Sequence, residues 1–427
     1  MSNLNSKKEE TQVLHAGWRA DPSTNSVAVP IYQTTSYQFN NADHAENLFA
    51  LKELGNIYTR IMNPTCDVLE KRVSAFEGGV ASLAVSSGQS ATALSIQNIA
   101  KNGDNIVSST DIYGGTWNLF ANTLKDQGIE VRFVDPSDPN SFKKASDKKT
   151  RAYYGETLPN PKLNIFPIEE VANIGKAIGI PLIIDNTAAP YICKPFLHGA
   201  SVVVHSTTKY IGGQGSAIGG IIVDGGNFSW DKFKEQQPAM NNPDPSYHGT
   251  IWTEVTKPLG PIAYILKART TLLRDVGSAM SPFNAFQFIQ GIETLPLRIE
   301  RQSKNAELVT NFLKNNSRVS KVIYPNNETK NKKYFTKNLF GNLIGFHIKG
   351  GYEACKNFIN NLQLFYHVAN IGDVRSLAIH PSSTTHSQLN SDDQLKAGVY
   401  KDYIRLSIGI EHIEDILKDL ENSLNKI

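Results

Sequence analysis

The side chains in this sequence best suited to chemistry are one lysine, one aspartate and a set of hydroxyls. The lysine is Lys209, in the stretch Ser201-Val-Val-Val-His-Ser-Thr-Thr-Lys209-Tyr-Ile-Gly-Gly213. Val202, Val203 and Val204 read as a short buried strand. A lysine just off a core strand is poorly hydrated, which lowers its pKa and enlarges the neutral fraction that forms Schiff bases. Ser206, Thr207 and Thr208 supply hydroxyls for a phosphate, and Gly212 and Gly213 let a backbone approach a ligand closely. By itself the stretch suits a strand ending in a polar surface turn equally well. A second run, Pro181-Leu-Ile-Ile-Asp185-Asn-Thr187, also ends in a carboxylate. Pyridoxal phosphate chemistry uses a lysine Schiff base and an acidic partner for the pyridinium nitrogen. Two neighbouring strands ending in Asp185 and Lys209 supply both.

On these stretches, and on motifs running from Tyr32 to about Glu411, the chain resembles the pyridoxal-phosphate enzymes of cysteine and methionine metabolism. The branch it most resembles is that of the O-acetylhomoserine sulfhydrylases. The resemblance implies an α/β fold of the aspartate-aminotransferase type (fold type I), with a mostly parallel central sheet and a smaller α/β C-terminal domain. The expected divisions are an N-terminal arm over 1–60, a large cofactor-binding domain over 61–270 and a C-terminal domain over 271–427. It also implies roles. Pyridoxal 5'-phosphate is held by Lys209, with Asp185 on its ring nitrogen. Its phosphate is held by Ser206 and Thr208 and by the Ser87-Gly88-Gln89 turn. Tyr113 stacks on the ring and exchanges protons with the substrate. Asn160 bonds the phenolic oxygen beside the substrate, and Arg405 clamps the substrate carboxylate. Tyr58 and Arg60 lie on the arm that meets the cofactor phosphate of a neighbouring subunit, so the expected assembly is a homo-oligomer, a homotetramer built as a dimer of dimers.

The elements that must position these groups are legible in outline. Between about 65 and 260, apolar runs alternate with helical stretches, which predicts a mostly parallel α/β sheet. Strands are expected at 80–85, 105–108, 151–156, 181–185, 202–204 and 217–223. Asn63 is a candidate helix N-cap with Pro64 in the first turn. Ser86-Ser87-Gly88-Gln89 opens a helix to about Lys101, and free N–H groups at such a start form an anion site. Asp111-Ile-Tyr113-Gly-Gly115-Thr116 leads into a helix ending near Gln127, and Ile168 to Ile178 is another. Asn227 to Trp252, polar and rich in proline and asparagine, reads as a surface insertion. Helical stretches follow at 262–273 and 295–315. Strands are then expected at 321–323, 343–348 and 403–407, with a closing helix over 413–424.

Composition narrows the class. The 427-residue chain is long enough for two or three domains, and its formal net charge is only +3. Nothing in that balance calls for a nucleic-acid or membrane partner. No apolar run approaches the ~20 residues of a membrane span, and the start of the chain lacks a signal-peptide core. Three scattered cysteines make no disulfide framework, and the histidines have no zinc-motif spacing, so no metal is expected. A cytoplasmic enzyme with small-molecule substrates follows.

The implied reaction is γ-replacement on O-acetylhomoserine by sulfide, giving homocysteine and acetate in methionine biosynthesis. Within the family, cystathionine γ-synthase, cystathionine γ-lyase and methionine γ-lyase are the alternatives. Gly115 stands where methionine γ-lyases resemble one another in having a cysteine. Arg375 stands where several cystathionine-handling relatives carry a glutamate, and an arginine would repel the distal ammonium of cystathionine. Arg375, Ser376 and the Thr384-Thr385-His386 run are expected to line one substrate pocket. A nicotinamide-dependent α/β oxidoreductase, the alternative from another class, calls for Gly-x-Gly-x-x-Gly after the first strand, where this chain has Ser-Ser-Gly-Gln.

Overall fold

The computed structural model describes residues 6–50, 52–327, 330–385, 387, 394 and 398–427. The larger of its two sheets has seven strands: β1 (Ala81–Val85), β2 (Asn105–Ser109), β3 (Glu130–Val134), β4 (Thr150–Glu156), β5 (Leu182–Asp185), β6 (Val202–His205) and β7 (Gly220–Asp224). Their order is β1-β7-β6-β5-β4-β2-β3. All neighbours are parallel except β7, which runs antiparallel to β1 and β6. The centre reads as continuous apolar runs because both faces are covered. Alternate residues feed two cores. Tyr153, Ile184, Val203 and Val223 enter one, while Tyr154, Ile183, Val202, Val204 and Ile222 enter the other.

Local signals account for several boundaries. Asn63 caps the helix Pro64–Glu77 by accepting the Thr65 N–H at 3.0 Å, and Pro64 occupies its first turn. The helix after β1 is shorter than expected, Gly88–Gln97. The helical stretch after Tyr113 and the one from Ala263 to Val276 each carry an internal π segment, Leu119–Thr123 and Ala268–Leu273. Strand β3 was not anticipated. Its Glu-Val-Arg-Phe-Val alternation marks a half-exposed edge strand, paired only with β2.

The smaller sheet comprises β8 (Val319–Ile323), β9 (Leu343–Ile348), β10 (Tyr366–His367), β11 (Leu377–Ile379) and β12 (Tyr403–Ser407), in the order β10-β11-β12-β9-β8. β10 and β11, two and three residues long, are too short to leave a periodic signal. The helices Leu295–Lys314 and Ile413–Leu424 pack together beside this sheet.

Two expectations about the rest of the chain change. The 227–252 stretch is no surface appendage. Trp230, Met240 and Trp252 are buried in the second core, and the Gln237 side-chain amide donates to the Arg151 and Gly179 carbonyls at 3.0 and 2.9 Å. Its polar composition hid these anchors. The first 60 residues hold two helices that had no strong periodicity, Glu9–His15 and Ala42–Phe49. The first of these packs on Pro64–Glu77 of the same chain.

Candidate active site

A cavity of about 450 Å³ opens beyond the C-terminal ends of β4, β5 and β6 and is closed over by residues from the small sheet. Strand ends in an open parallel sheet present side chains and loop N–H groups to a common crevice. Lys209 enters it from a tight turn after β6. Its N–H donates to the Ser206 carbonyl at 3.2 Å, and its own carbonyl accepts the Gly213 N–H at 2.7 Å. Gly213 adopts φ of 72°, a left-handed conformation that glycine accepts without strain. The Lys209 Nζ donates to Asn370 Oδ1 at 2.6 Å. Burial, and secondarily the nearby Arg405 guanidinium, push the amine down to about 8. A neutral nucleophile is therefore far more accessible than for a solvated lysine.

Asp185 lines the same cavity at the end of β5. The Thr187 N–H donates to its Oδ1 at 2.8 Å, while burial raises its pKa. Beside it, at the paired position on β4, is Glu156. Its Oε1 accepts the backbone N–H of Tyr113 at 2.7 Å, and burial together with Asp185 pushes its carboxyl well above the usual range.

At the other end lies the start of the helix Gly88–Gln97. Ser87 caps it, its Oγ accepting the Ser90 N–H at 3.1 Å. A Cβ on Gly88 would stand 2.5 Å from the Ser206 Cβ and 2.9 Å from its Oγ, so only glycine lets the helix start meet that hydroxyl. Thr208 Oγ1 donates to the Gly219 carbonyl at 3.2 Å and accepts the Gly219 N–H at 3.1 Å. The Gln89 amide donates to Thr116 Oγ1 at 3.3 Å.

Arg405, on β12, brings a cation to the cavity from the small sheet. Nη1 donates to Asn160 Oδ1 at 3.2 Å and Nη2 to the Asn370 carbonyl at 2.8 Å, while Nε has no hydrogen-bond partner. Burial lowers the pKa of the guanidinium, and no carboxylate pairs with it among the described residues. A buried cation left in this state is costly until an anion joins it. The Tyr113 ring, half exposed, stands at the mouth, and a Cβ on Gly115 would lie 2.5 Å from its Cε1.

The cavity thus gathers Ser87, Gly88, Gln89, Tyr113, Asn160, Asp185, Ser206, Thr208, Lys209 and Arg405. Thr187, Asn370 and Glu156 join them without having been singled out from sequence. Only the register of β4 against β5 gives Glu156 a signal, through its position opposite Asp185. Tyr58 and Arg60 do not line this cavity. They face a separate cleft of about 550 Å³, where Arg60 donates to the Arg274 carbonyl and lies 5.4 Å from the Tyr58 ring centre.

Two expected substrate contacts need correction. Arg375 lies outside the cavity lining, about half exposed. Its guanidinium bonds Asp373 at 2.8 and 3.1 Å and the Gln214 carbonyl at 2.6 Å, so its charge is already neutralised. Ser376 is fully buried. Its Oγ donates to Glu411 Oε2 at 2.9 Å and accepts the Gly409 N–H at 2.9 Å, and it lies outside the cavity lining. Thr385 does line the cavity, Thr384 Oγ1 donates to the His380 carbonyl at 2.8 Å, and His386 lies outside the described residues.

The donor set fits pyridoxal phosphate. A helix start and hydroxyls, held close by the Gly88 cradle, suit a phosphate. The carboxylate at the far end suits a ring nitrogen, and the depressed amine suits a carbonyl carbon. Comparison with known proteins gives the same direction. The family of Cys/Met metabolism PLP-dependent enzymes matches residues 10–425. The O-acetyl-L-homoserine sulfhydrylase of Leptospira meyeri is 55% identical over 98% of this chain and 97% of its own length. The homocysteine synthase of Schizosaccharomyces pombe is 45% identical over 99% of each chain. A Campylobacter jejuni crystal structure, assigned to an O-acetylhomoserine (thiol)-lyase and containing an N'-pyridoxyl-lysine-5'-monophosphate, superposes with a TM-score of 0.93 at 42% identity. It covers 98% of this chain and 100% of that one.

Proposed function

The chain belongs to the Cys/Met metabolism PLP-dependent enzymes, and on that premise we propose that the Lys209 cavity converts O-acetyl-L-homoserine and sulfide to L-homocysteine and acetate in methionine biosynthesis. The observation that carries this reading is Arg405, a buried cation without a carboxylate partner among the described residues, in the cavity that also holds the depressed Lys209 amine. Such a site is completed by a substrate carrying a carboxylate and an amine. In the overall reaction the γ-carbon–oxygen bond breaks and a γ-carbon–sulfur bond forms. Acetate leaves with the electron pair, the thiol proton is released, and nothing is oxidised or reduced.

Bound pyridoxal phosphate supplies an electron sink that eases removal of the substrate's α- and β-protons. The remaining work falls to side chains. Asp185 holds a proton on the ring nitrogen, and Ser87, Gly88, Gln89, Ser206 and Thr208 hold the phosphate. Asn160 holds the phenolic oxygen. Arg405 grips the substrate carboxylate through its planar fork. The Lys209 amine moves protons at the α- and β-carbons, with Tyr113 at the mouth as the second proton carrier. Because Asp373 neutralises Arg375, rejection of cystathionine does not rest on that arginine.

Incubation with O-acetylhomoserine and sulfide is expected to yield homocysteine and acetate in equal amounts, and faster than any cleavage of cystathionine or methionine. Measuring products for acetyl and succinyl esters, each with sulfide and methanethiol, checks this. Faster release of cysteine from cystathionine, or of methanethiol from methionine, than of homocysteine from either ester would overturn it.

The assembly follows from Tyr58 and Arg60. Arg60 faces a cleft away from its own Lys209, and the reading supported by this placement is that both residues meet the cofactor phosphate of a partner subunit. A closed dimer of dimers, hence a homotetramer, is the symmetric form of such sharing. Mixing Arg60→Ala with Lys209→Ala chains is expected to restore part of the activity, since one hybrid site keeps both residues. Mixed oligomers that form and stay inactive would refute sharing. No helix among the described residues is long and apolar enough to cross a membrane, and the free, buried cysteines accord with a cytoplasmic location.

A further inference from the structure

We propose that Glu156 is a positioning residue of this site, a carboxylic acid that stays protonated beside Asp185, holds the Tyr113 turn, and leaves the negative charge at that end of the cavity to Asp185. β4 and β5 are parallel neighbours in which Glu156 and Asp185 are direct partners. Adjacent strands lie about 4.8 Å apart, and partnered side chains leave on one face. Two carboxyls so close in a dry site do not both ionise. The surroundings favour charge on Asp185. Thr187 stabilises its ionised form through both its side chain and its N–H, and the His205 imidazole, one residue beyond its β6 partner Val204, adds to this. Among the described residues Glu156 receives only the Tyr113 N–H, on Oε1, and Asp111 adds negative charge nearby.

The titratable groups around Glu156 are Asp185 on β5, Asp111 after β2 with its partner Lys162, and the Tyr154 phenol on β4. The Lys162 amine is engaged by Asp111, so no cation pairs with Glu156 among the described residues. A neutral acid avoids the cost of a second buried charge, and it still accepts a hydrogen bond. That bond reaches the residue that opens the helix Gly114–Asn118 and sets where the Tyr113 ring stands at the mouth. Glu156 therefore acts through Tyr113 and Asp185. The inference rests on the reading of Asp185 as partner of the ring nitrogen.

Infrared difference spectra of cofactor-free wild type and Glu156→Gln at neutral pH test the protonation state. The carbonyl band of a protonated carboxylic acid is expected in the wild type and missing from the variant. The pH dependence of stability has a definite sign. The folded pKa lies above the ordinary 4.5, so the stability linked to this proton is complete below that value and lost as pH rises through the folded pKa. The Gln variant is expected to keep its Tm better on the alkaline side. Positioning is read from rescue. Glutamine, whose carbonyl also accepts the Tyr113 N–H, is expected to keep kcat/KM within about tenfold, whereas Glu156→Ala loses kcat by ~10²-fold, the scale of one misplaced proton carrier. An absent band, or a Gln variant as impaired as the Ala variant, overturns the proposal. An Asp185→Asn protein with unchanged cofactor absorbance would instead overturn the reading of Asp185, and the Glu156 band read in the cofactor-free wild type would still stand.

Discussion

Lys209→Ala protein is expected to lose the visible band of the bound cofactor and at least ~10³-fold in turnover, within the range that a positioned acid–base group contributes. The change removes the one amine in the cavity held near neutrality, which rests on Asn370 at 2.6 Å and is depressed to about 8. Among the described residues no other lysine lines this cavity, so rescue from within the site is not expected. Folding should survive. Lys209 is a partly buried amine whose neutral form is favoured by desolvation and by Arg405, so its loss relieves a like-charged neighbour rather than a core contact. Borohydride reduction of the wild type, followed by peptide mapping, should place the cofactor on Lys209 alone. A label on another lysine, or residual turnover within about tenfold of wild type, would refute the assignment.

Arg405→Met is expected to lower kcat/KM for O-acetylhomoserine by ~30-fold to ~5,000-fold. That range corresponds to about 2–5 kcal/mol for truncating one partner of a buried charge pair. The loss should appear chiefly in KM, since carboxylate binding is common to the ground state and the transition state. Cofactor-free Tm is expected to change little. The substitution ends the cost of a buried guanidinium with no carboxylate partner, but it also strips donors from Asn160 Oδ1 and the Asn370 carbonyl. A second readout accompanies these. Arg405 is one of the two causes that depress Lys209, so the Lys209 titration should move up in the variant. An unchanged KM with a fall confined to kcat would mean that Arg405 does not clamp the carboxylate.

Both predictions start from residues visible in the chain, yet their force comes from neighbours that local sequence does not display. Lys209 and Asp185 stand out because each ends an apolar run, and a residue just beyond a buried strand is placed by the strand itself. The Asn63 cap and the closing helix Ile413–Leu424 are legible for the same reason, since capping and periodicity are properties of a few consecutive residues. Asn370 is different. It lies 161 positions from Lys209, in a loop whose strands β10 and β11 are too short for a pattern. Glu156 ends β4 as plainly as Asp185 ends β5, but its proton depends on the register between the two strands.

The corrections have one cause. Their position in a motif puts Arg375 and Ser376 in the pocket, whereas Asp373 and Glu411 engage their polar groups. Composition places the 227–252 stretch on the surface, whereas four large apolar side chains, Phe228, Trp230, Met240 and Trp252, anchor it in the second core. Composition averages over a stretch, so a polar run hides the few side chains it buries, and neither composition nor periodicity carries information about which distant group a residue meets.

What this chain determined alone is therefore the longer buried strands, the capped helix starts such as Asn63, and the ionisable groups at strand ends, because burial and capping are local free energies. The folded structure decided the rest. It brought Arg405 to Asn160 across 245 positions, gave Arg375 a carboxylate and left Arg405 without one. The Coulomb energies and desolvation that set charge in the cavity depend on those through-space distances, and chain closure over hundreds of residues creates them.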